Sequence, residues 1–123
     1  MSERHCDLYL TDIIESGRAI QSYVQGVEFA GFVNDRMRYA AVIREFEIVG
    51  EAVGKLPESI KARYPDVPWR EIKDFRNILI HEYFGVDLRI VWNAAHQDLP
   101  LLLAAATEIL AESAESSQTA PNG

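Results

Sequence analysis

Apolar positions recur along this chain at helical spacing and nowhere alternate with period two, so the pattern predicts helices and no strands. From about Asp7 to Val27, Tyr9, Ile13, Ser16, Gly17, Ile20 and Val24 form one stripe, with Arg18, Gln21 and Gln25 off it. Gly26 and Gly31 bracket a connection, after which Asn34 or Asp35 supplies an N-cap for a second helix. That helix carries the cleanest stripe in the chain: Tyr39, Val42, Ile43, Phe46, Val49, Gly50 and Val53. An interior glycine lowers helix propensity by about 1 kcal/mol relative to alanine, so Gly50 predicts the close approach of another helix. Gly54 and Pro57 close the segment.

Residues 57–64 fit a short connecting helix, and Pro65 and Pro68 predict an extended stretch before Trp69, with Pro68 suited to a first helical position. Ile72, Phe75, Arg76, Leu79 and Tyr83 then share one stripe of a third main helix that should end at Gly85. Asp87 can cap a fourth, whose face Ile90, Val91, Ala94, Ala95 and Leu101 or Leu102 continues to about Ala111, interrupted or kinked at Pro100. The expectation is an all-α, up-and-down bundle of four main helices plus a short connecting one, over residues 1–111. Residues 112–123, rich in Ser and Ala and ending Pro, Asn, Gly, read as a disordered tail.

With 123 residues, 48% of them hydrophobic, one core can be filled, so one domain is expected. The single Cys6 excludes an internal disulfide and a cysteine cluster for zinc, which fits a reducing cytoplasm. The first seven residues hold no apolar run, and no stretch approaches the roughly 20 apolar residues of a membrane span, so a soluble cytoplasmic protein is expected. The net charge of −7 argues against binding nucleic acid through an overall field. Residues 55–76 run the other way: Lys55, Lys61, Arg63, Arg70, Lys73 and Arg76 face only Glu58, Asp66, Glu71 and Asp74, a local +2. An ordinary mixed surface accounts for this equally well, and an acidic exterior can also meet a basic protein partner.

The segment Arg76, Asn77, Ile78, Leu79, Ile80, His81, Glu82, Tyr83 concentrates the chemistry. Arginine is a fixed cation and histidine titrates near neutrality, a pair suited to acid/base work at a phosphodiester. Taken alone the pair is a weak signal. Arg76 serves equally as a structural cation for Glu51, Glu82 or another acid, and His81 and Asn77 equally as solvated residues. Tyr83 lies on the core-facing stripe, and Trp69, Phe75, Phe84 and Trp92 read first as core or interface aromatics. His5, His96 and Cys6 are too scattered for a metal site, so neither metal nor cofactor is assigned. On an ideal helix Arg76 and His81 stand about 140° apart around the axis, while Arg76 and Tyr83 are within about 20°. Two arrangements would bring Arg76 and His81 onto one substrate: unwinding near Gly85, or a two-fold dimer that sets two motifs side by side.

The flanks add a resemblance. Pro68 and Trp69, the run from Arg76 to Phe84, Val86 and Asp87, Val91 and Trp92, Leu99 and Pro100, and Gly50, Glu51 and Ala52 after Ala41, Val42, Ile43 and Arg44, together resemble the HepT-like branch of the HEPN ribonuclease toxins. The likeness runs from about Asp7 to about Leu110 and departs at Glu45, where typical members carry Asn. It implies a homodimeric, metal-independent endoribonuclease whose active cleft lies at the dimer interface. Arg76 and His81 would be catalytic and Asn77 auxiliary, with attack by the ribose 2′-hydroxyl leaving a 2′,3′-cyclic phosphate. It also implies a type VII-like toxin–antitoxin pair. The antitoxin would be a minimal nucleotidyltransferase that neutralises the toxin by transferring AMP to Tyr83. The alternative, from another class, is a non-catalytic helical module that binds and regulates a nucleotidyltransferase. Arg76, Asn77, His81 and Tyr83 favour the enzyme, and the acidic net charge favours the module.

Overall fold

The computed structural model describes residues 3–82 and 85–119, with side-chain surroundings for 6–82 and 85–114. Its elements follow in the order α1 Glu3–Val24, α2 Phe29–Val33, α3 Arg36–Lys55, α4 Glu58–Lys61, α5 Trp69–His81, α6 Leu88–Asn93, a π-helical turn Ala94–Asp98, and α7 Leu99–Thr119. No strand occurs among the described residues, and the bundle is all-α as the periodicity predicts.

The ends of the helices follow from side chains near them. Asp35 caps α3 by accepting from the Arg38 backbone N–H at 3.1 Å, and its second oxygen pairs with Arg38 Nε at 3.1 Å. Asp87 caps α6, accepting from the Arg89 N–H at 2.9 Å. Gly26, at φ +72°, takes the left-handed conformation that lets the chain leave α1. Pro68 occupies the N-cap of α5, one position before the site expected for it.

The last expected helix is one rod in three parts, since both junctions keep right-handed helical dihedrals. Leu99 N–H reaches back five residues to the Ala94 carbonyl. This wider turn makes room beside Pro100, which has no N–H and whose ring would crowd the carbonyl four residues earlier. Val91, Ala94, Ala95 and Leu102 are buried, so of Leu101 and Leu102 it is the second that faces the core, whereas Ile90, expected on that face, is exposed. The rod runs to Thr119, past the boundary at which the sequence pattern fades.

α3 lies between α1 and α5, and α7 packs along α1 on its other flank. The close approach of α1 and α7 depends on Gly17, where a Cβ would stand 2.5 Å from Leu103 Cδ2. Leu10, Ile13 and Ile20 of α1, Val42, Val49 and Val53 of α3, Leu79 of α5, Val91 of α6 and Leu99 and Leu102 of the rod are fully buried. The short α2 was not foreseen. Its Phe32 is fully buried, with ring centroids 5.2 Å from Trp92 and 6.3 Å from Tyr39, so α2 is held by long-range aromatic packing that leaves no periodic signal. Among the described residues, no helix is long and apolar enough to cross a membrane.

Between α5 and the rod a groove of about 380 Å³ remains, lined by Ile72, Phe75, Ile78, Ile90, Leu99 and Leu102 and rimmed by Glu71, Asp74 and Asp98. Burial, and then the Glu71 carboxylate, push Asp98 above the usual carboxylate range. This edge of α5 is therefore acidic and apolar.

Candidate functional site

The candidate motif occupies the C-terminal half of α5, and Leu79 fixes it to the bundle. Of residues 77–82 only Leu79 is buried; Asn77, Ile78, Ile80, His81 and Glu82 are all exposed. Full burial of a leucine contributes about 1.5–3 kcal/mol, enough to hold the turn in register while its neighbours face outward. His81 is the last helical residue, and the Glu82 N–H still bonds the Ile78 carbonyl at 2.9 Å. The helix expected to reach Gly85 thus ends at His81 and is intact through it. Unwinding near Gly85 does not swing His81 towards Arg76, and the offset of about 140° stands.

Arg76 is positioned by α3. A Cβ built on Gly50 would overlap Arg76 Cβ and stand 2.9 Å from its Cγ, so α3 and α5 meet at this glycine and the arginine stem lies across it. The close approach read from Gly50 is therefore that of the motif helix itself. Beyond the stem, Arg76 Nη2 pairs with Glu51 Oε2 at 2.6 Å, and Nη1 donates to Asn77 Oδ1 at 3.3 Å. Among the acids considered for Arg76, Glu51 is the one paired with it here. The Arg76 side chain is 34% exposed and that of Glu51 52%, so the bridge is worth about 0–1 kcal/mol and is easily exchanged for another anion. Arg76 Nε is buried without a hydrogen-bond partner. The two terminal nitrogens are the ones open to a ligand.

These contacts bring Arg76, Asn77 and Glu51 together. His81 stands apart on the exposed last turn, one helical turn beyond Asn77 and making no hydrogen bond among the described residues. Tyr83 and Phe84 lie outside the described residues. Trp69, Phe75 and Trp92 pack against the core as expected; Phe75 meets Phe46 edge to face at 5.4 Å. Among the described residues no group of three or more His, Cys, Asp or Glu side chains is placed to hold a metal ion. Sequence reasoning did not anticipate that Lys61 is buried, nor that the Lys73 stem runs beside Gly54. The three-residue spacing of Arg70, Lys73 and Arg76 was the available signal.

Gly50→Ala tests the positioning directly. The overlap with Arg76 costs about 1–3 kcal/mol, only partly offset by the roughly 1 kcal/mol of helix propensity that alanine regains. A lower urea midpoint together with a displaced Arg76 is expected; an unchanged midpoint would show that α3 and α5 separate without cost.

Comparison with known proteins places the chain in a family. The family model for HepT-like ribonucleases matches residues 13–109. The chain is 41% identical over 102 residues to a Thermococcus cleftensis protein named probable ribonuclease HepT, covering 83% of this chain and 92% of that one. It is 38% identical over 100 residues to a candidate RNase of Methanocaldococcus jannaschii, covering 81% and 92% of the two chains. A candidate RNase of Caldanaerobacter subterraneus subsp. tengcongensis is 40% identical over 102 residues, covering 83% and 91%. No solved structure gives a significant match. With the match reaching into every long helix and covering all of α3 and α5, the Arg76-to-His81 segment included, the chain belongs to the HepT-like ribonuclease family.

Proposed function

We propose that this chain is an endoribonuclease that works as a two-fold homodimer, cuts RNA without a metal ion, and is the toxin of a pair whose antitoxin is a nucleotidyltransferase. The observation that carries the reading is the end of α5, where Arg76 is seated on Gly50 while Asn77 and His81 face outward. The family match and the names of the relatives support the ribonuclease part of it.

In the reaction, the 2′-hydroxyl oxygen forms a bond to the adjacent phosphorus and the bond from phosphorus to the 5′-oxygen breaks, leaving a 2′,3′-cyclic phosphate and a 5′-hydroxyl. One proton leaves the attacking hydroxyl and one joins the leaving oxygen. His81 is the residue for such transfers, as base or acid. Arg76 would exchange Glu51 for the phosphate and stabilise the charge that grows on its oxygens, with Asn77 orienting the same group. DNA lacks the nucleophile, so selectivity for RNA follows.

Two observations support the dimer. The offset of about 140° keeps one straight helix from presenting Arg76 and His81 together. Ile80, next to His81 on the far side of α5 from the groove that Ile78 lines, is 43% exposed, an apolar side chain that a second copy would cover. The reading is tested by incubating the purified unmodified chain with single-stranded RNA in a chelator and analysing the product ends. Cleavage with 2′,3′-cyclic phosphate ends, from a species that sediments as a dimer, is expected. No cleavage, or cleavage only on adding metal, would favour the non-catalytic module or different chemistry.

A further inference from the structure

Across Asp74 from the acidic groove, α5 borders a second cleft. About 610 Å³ in volume, it lies between α4 and the first half of α5 and is lined by Glu58, Lys61, Ala62, Trp69, Arg70, Lys73 and Asp74. Its floor is rigid: Trp69 Nε1 donates to the carbonyls of Lys61 and Tyr64 at 3.1 and 3.0 Å, which fixes the indole. Lys61 is buried, and its Nζ donates to the Val53 carbonyl at 3.4 Å in the last turn of α3, where a cation also meets the negative end of the helix dipole. Lys61 thus holds the wall together.

The other two cations are free to act on a ligand. Lys73 makes no ion pair or hydrogen bond among the described residues, and its stem runs past Gly54, where a Cβ would stand 3.7 Å from Lys73 Cε. Arg70 reaches Asp74 only at 3.9 Å, with side chains 90% and 61% exposed, and Glu58, the partner of Lys61, is 91% exposed. Such pairs open at little cost. Gly50 seats Arg76, Lys73 lies in ordinary contact distance of Gly54 one turn along α3, and Arg70 follows a turn further back on α5. The rise between these cations is about 4.5 Å per step along the helix. Beyond Asp74, which lines both, Glu71 and Asp98 of the groove would repel a phosphate chain.

We infer that this cleft is a second RNA subsite, in which Lys73 and Arg70 hold backbone phosphates of the strand whose reacting phosphate lies at Arg76. The inference rests on the ribonuclease reading. The strand runs from Arg76 towards the N-terminus of α5, along the cationic edge and away from the acidic groove. Contacts of this kind confer affinity and register, and carry no base sequence.

The test uses the full-length His81→Ala chain, which leaves bound RNA uncut, and a single-stranded oligonucleotide long enough to span both positions. Its dissociation constant is measured across a salt series, with and without Lys73→Ala and Arg70→Ala together; Lys61 is left intact because it supports the fold. Losing two phosphate contacts should weaken binding at low salt and make the slope of log affinity against log salt shallower by about 1.4, at roughly 0.7 per phosphate for single strands. Lys73→Arg with Arg70→Lys should restore the slope. An unchanged slope would overturn the subsite, as would an equal change on replacing Arg18 and Arg36, which would signal only a general field. Cleavage of the same oligonucleotide by the unsubstituted chain is scored separately. Cleavage with an unchanged slope removes the subsite and keeps the ribonuclease, whereas absence of cleavage removes the ribonuclease reading on which the subsite depends.

Discussion

Replacing His81 by alanine is expected to slow RNA cleavage by about 10²–10⁴-fold, the range lost with a positioned general acid or base. The fold should not change, because His81 is exposed at the end of α5 and makes no hydrogen bond among the described residues. Arg76→Ala should cost about 10²–10³-fold, as when a donor to a developing oxyanion is removed. Here a small loss of stability is also expected. The Glu51 bridge, worth about 0–1 kcal/mol, disappears, and the stem no longer covers Gly50. Kinetics and a urea titration on the same preparations separate the two effects. Variants that cut as fast as the parent would leave Arg76 as a structural cation and His81 as a solvated residue.

The second large effect concerns Tyr83, which lies just beyond the described end of α5. Incubation with the partner nucleotidyltransferase and ATP is expected to attach AMP there and abolish cleavage. The phenolic oxygen would bond to the α-phosphorus, pyrophosphate would leave, and the phenolic proton would pass to solvent. A bulky anionic group two residues from His81 blocks the site and repels RNA phosphate. Tyr83→Phe loses only a hydroxyl and should stay active in the presence of the partner. Mass spectrometry that places AMP on another residue, or full neutralisation of Tyr83→Phe, would point to inhibition by binding alone.

What the sequence revealed of this fold was what short-range physics controls. Asp35 and Asp87 announce helix starts because a cap acts within three residues, and both side chains accept as expected. Gly50 announced a helix crossing because its cost in an isolated helix needs a tertiary reason. The structure supplies that reason as the stem of Arg76. Periodicity also carried the stripe of α5 past its end, because an apolar pattern does not register where the backbone stops bonding; the helix closes at His81 and not at Gly85. Pro100 marked an interruption, but whether the rod kinks, breaks or widens into a π turn depends on packing against α1. α2 was hidden for the same kind of reason, since Phe32 is held by Trp92 and Tyr39 from distant segments.

The candidate site divides the same way. Arg76, Asn77 and His81 could be named from the order of residue types, because chemistry is written in the side chains. That Arg76 selects Glu51 over Glu82 could not, since the choice is made by the crossing of α3 and α5. The two sides of α5, an acidic groove toward the rod and toward α4 a cleft in which Lys61, Arg70 and Lys73 outnumber Glu58 and Asp74, were likewise concealed in a mixed run of charges and emerge only once neighbouring helices divide them.

The central claim is that one chain holds an incomplete site and that Arg76 and His81 act together across a two-fold axis. Arg76→Ala and His81→Ala chains, each inactive alone, can be made together with two different tags and the mixed dimer isolated through both. The mixed dimer is expected to cut RNA in chelator, since its interface cleft still holds an intact Arg76 from one chain and an intact His81 from the other. A mixed dimer as inactive as its parents would contradict the claim.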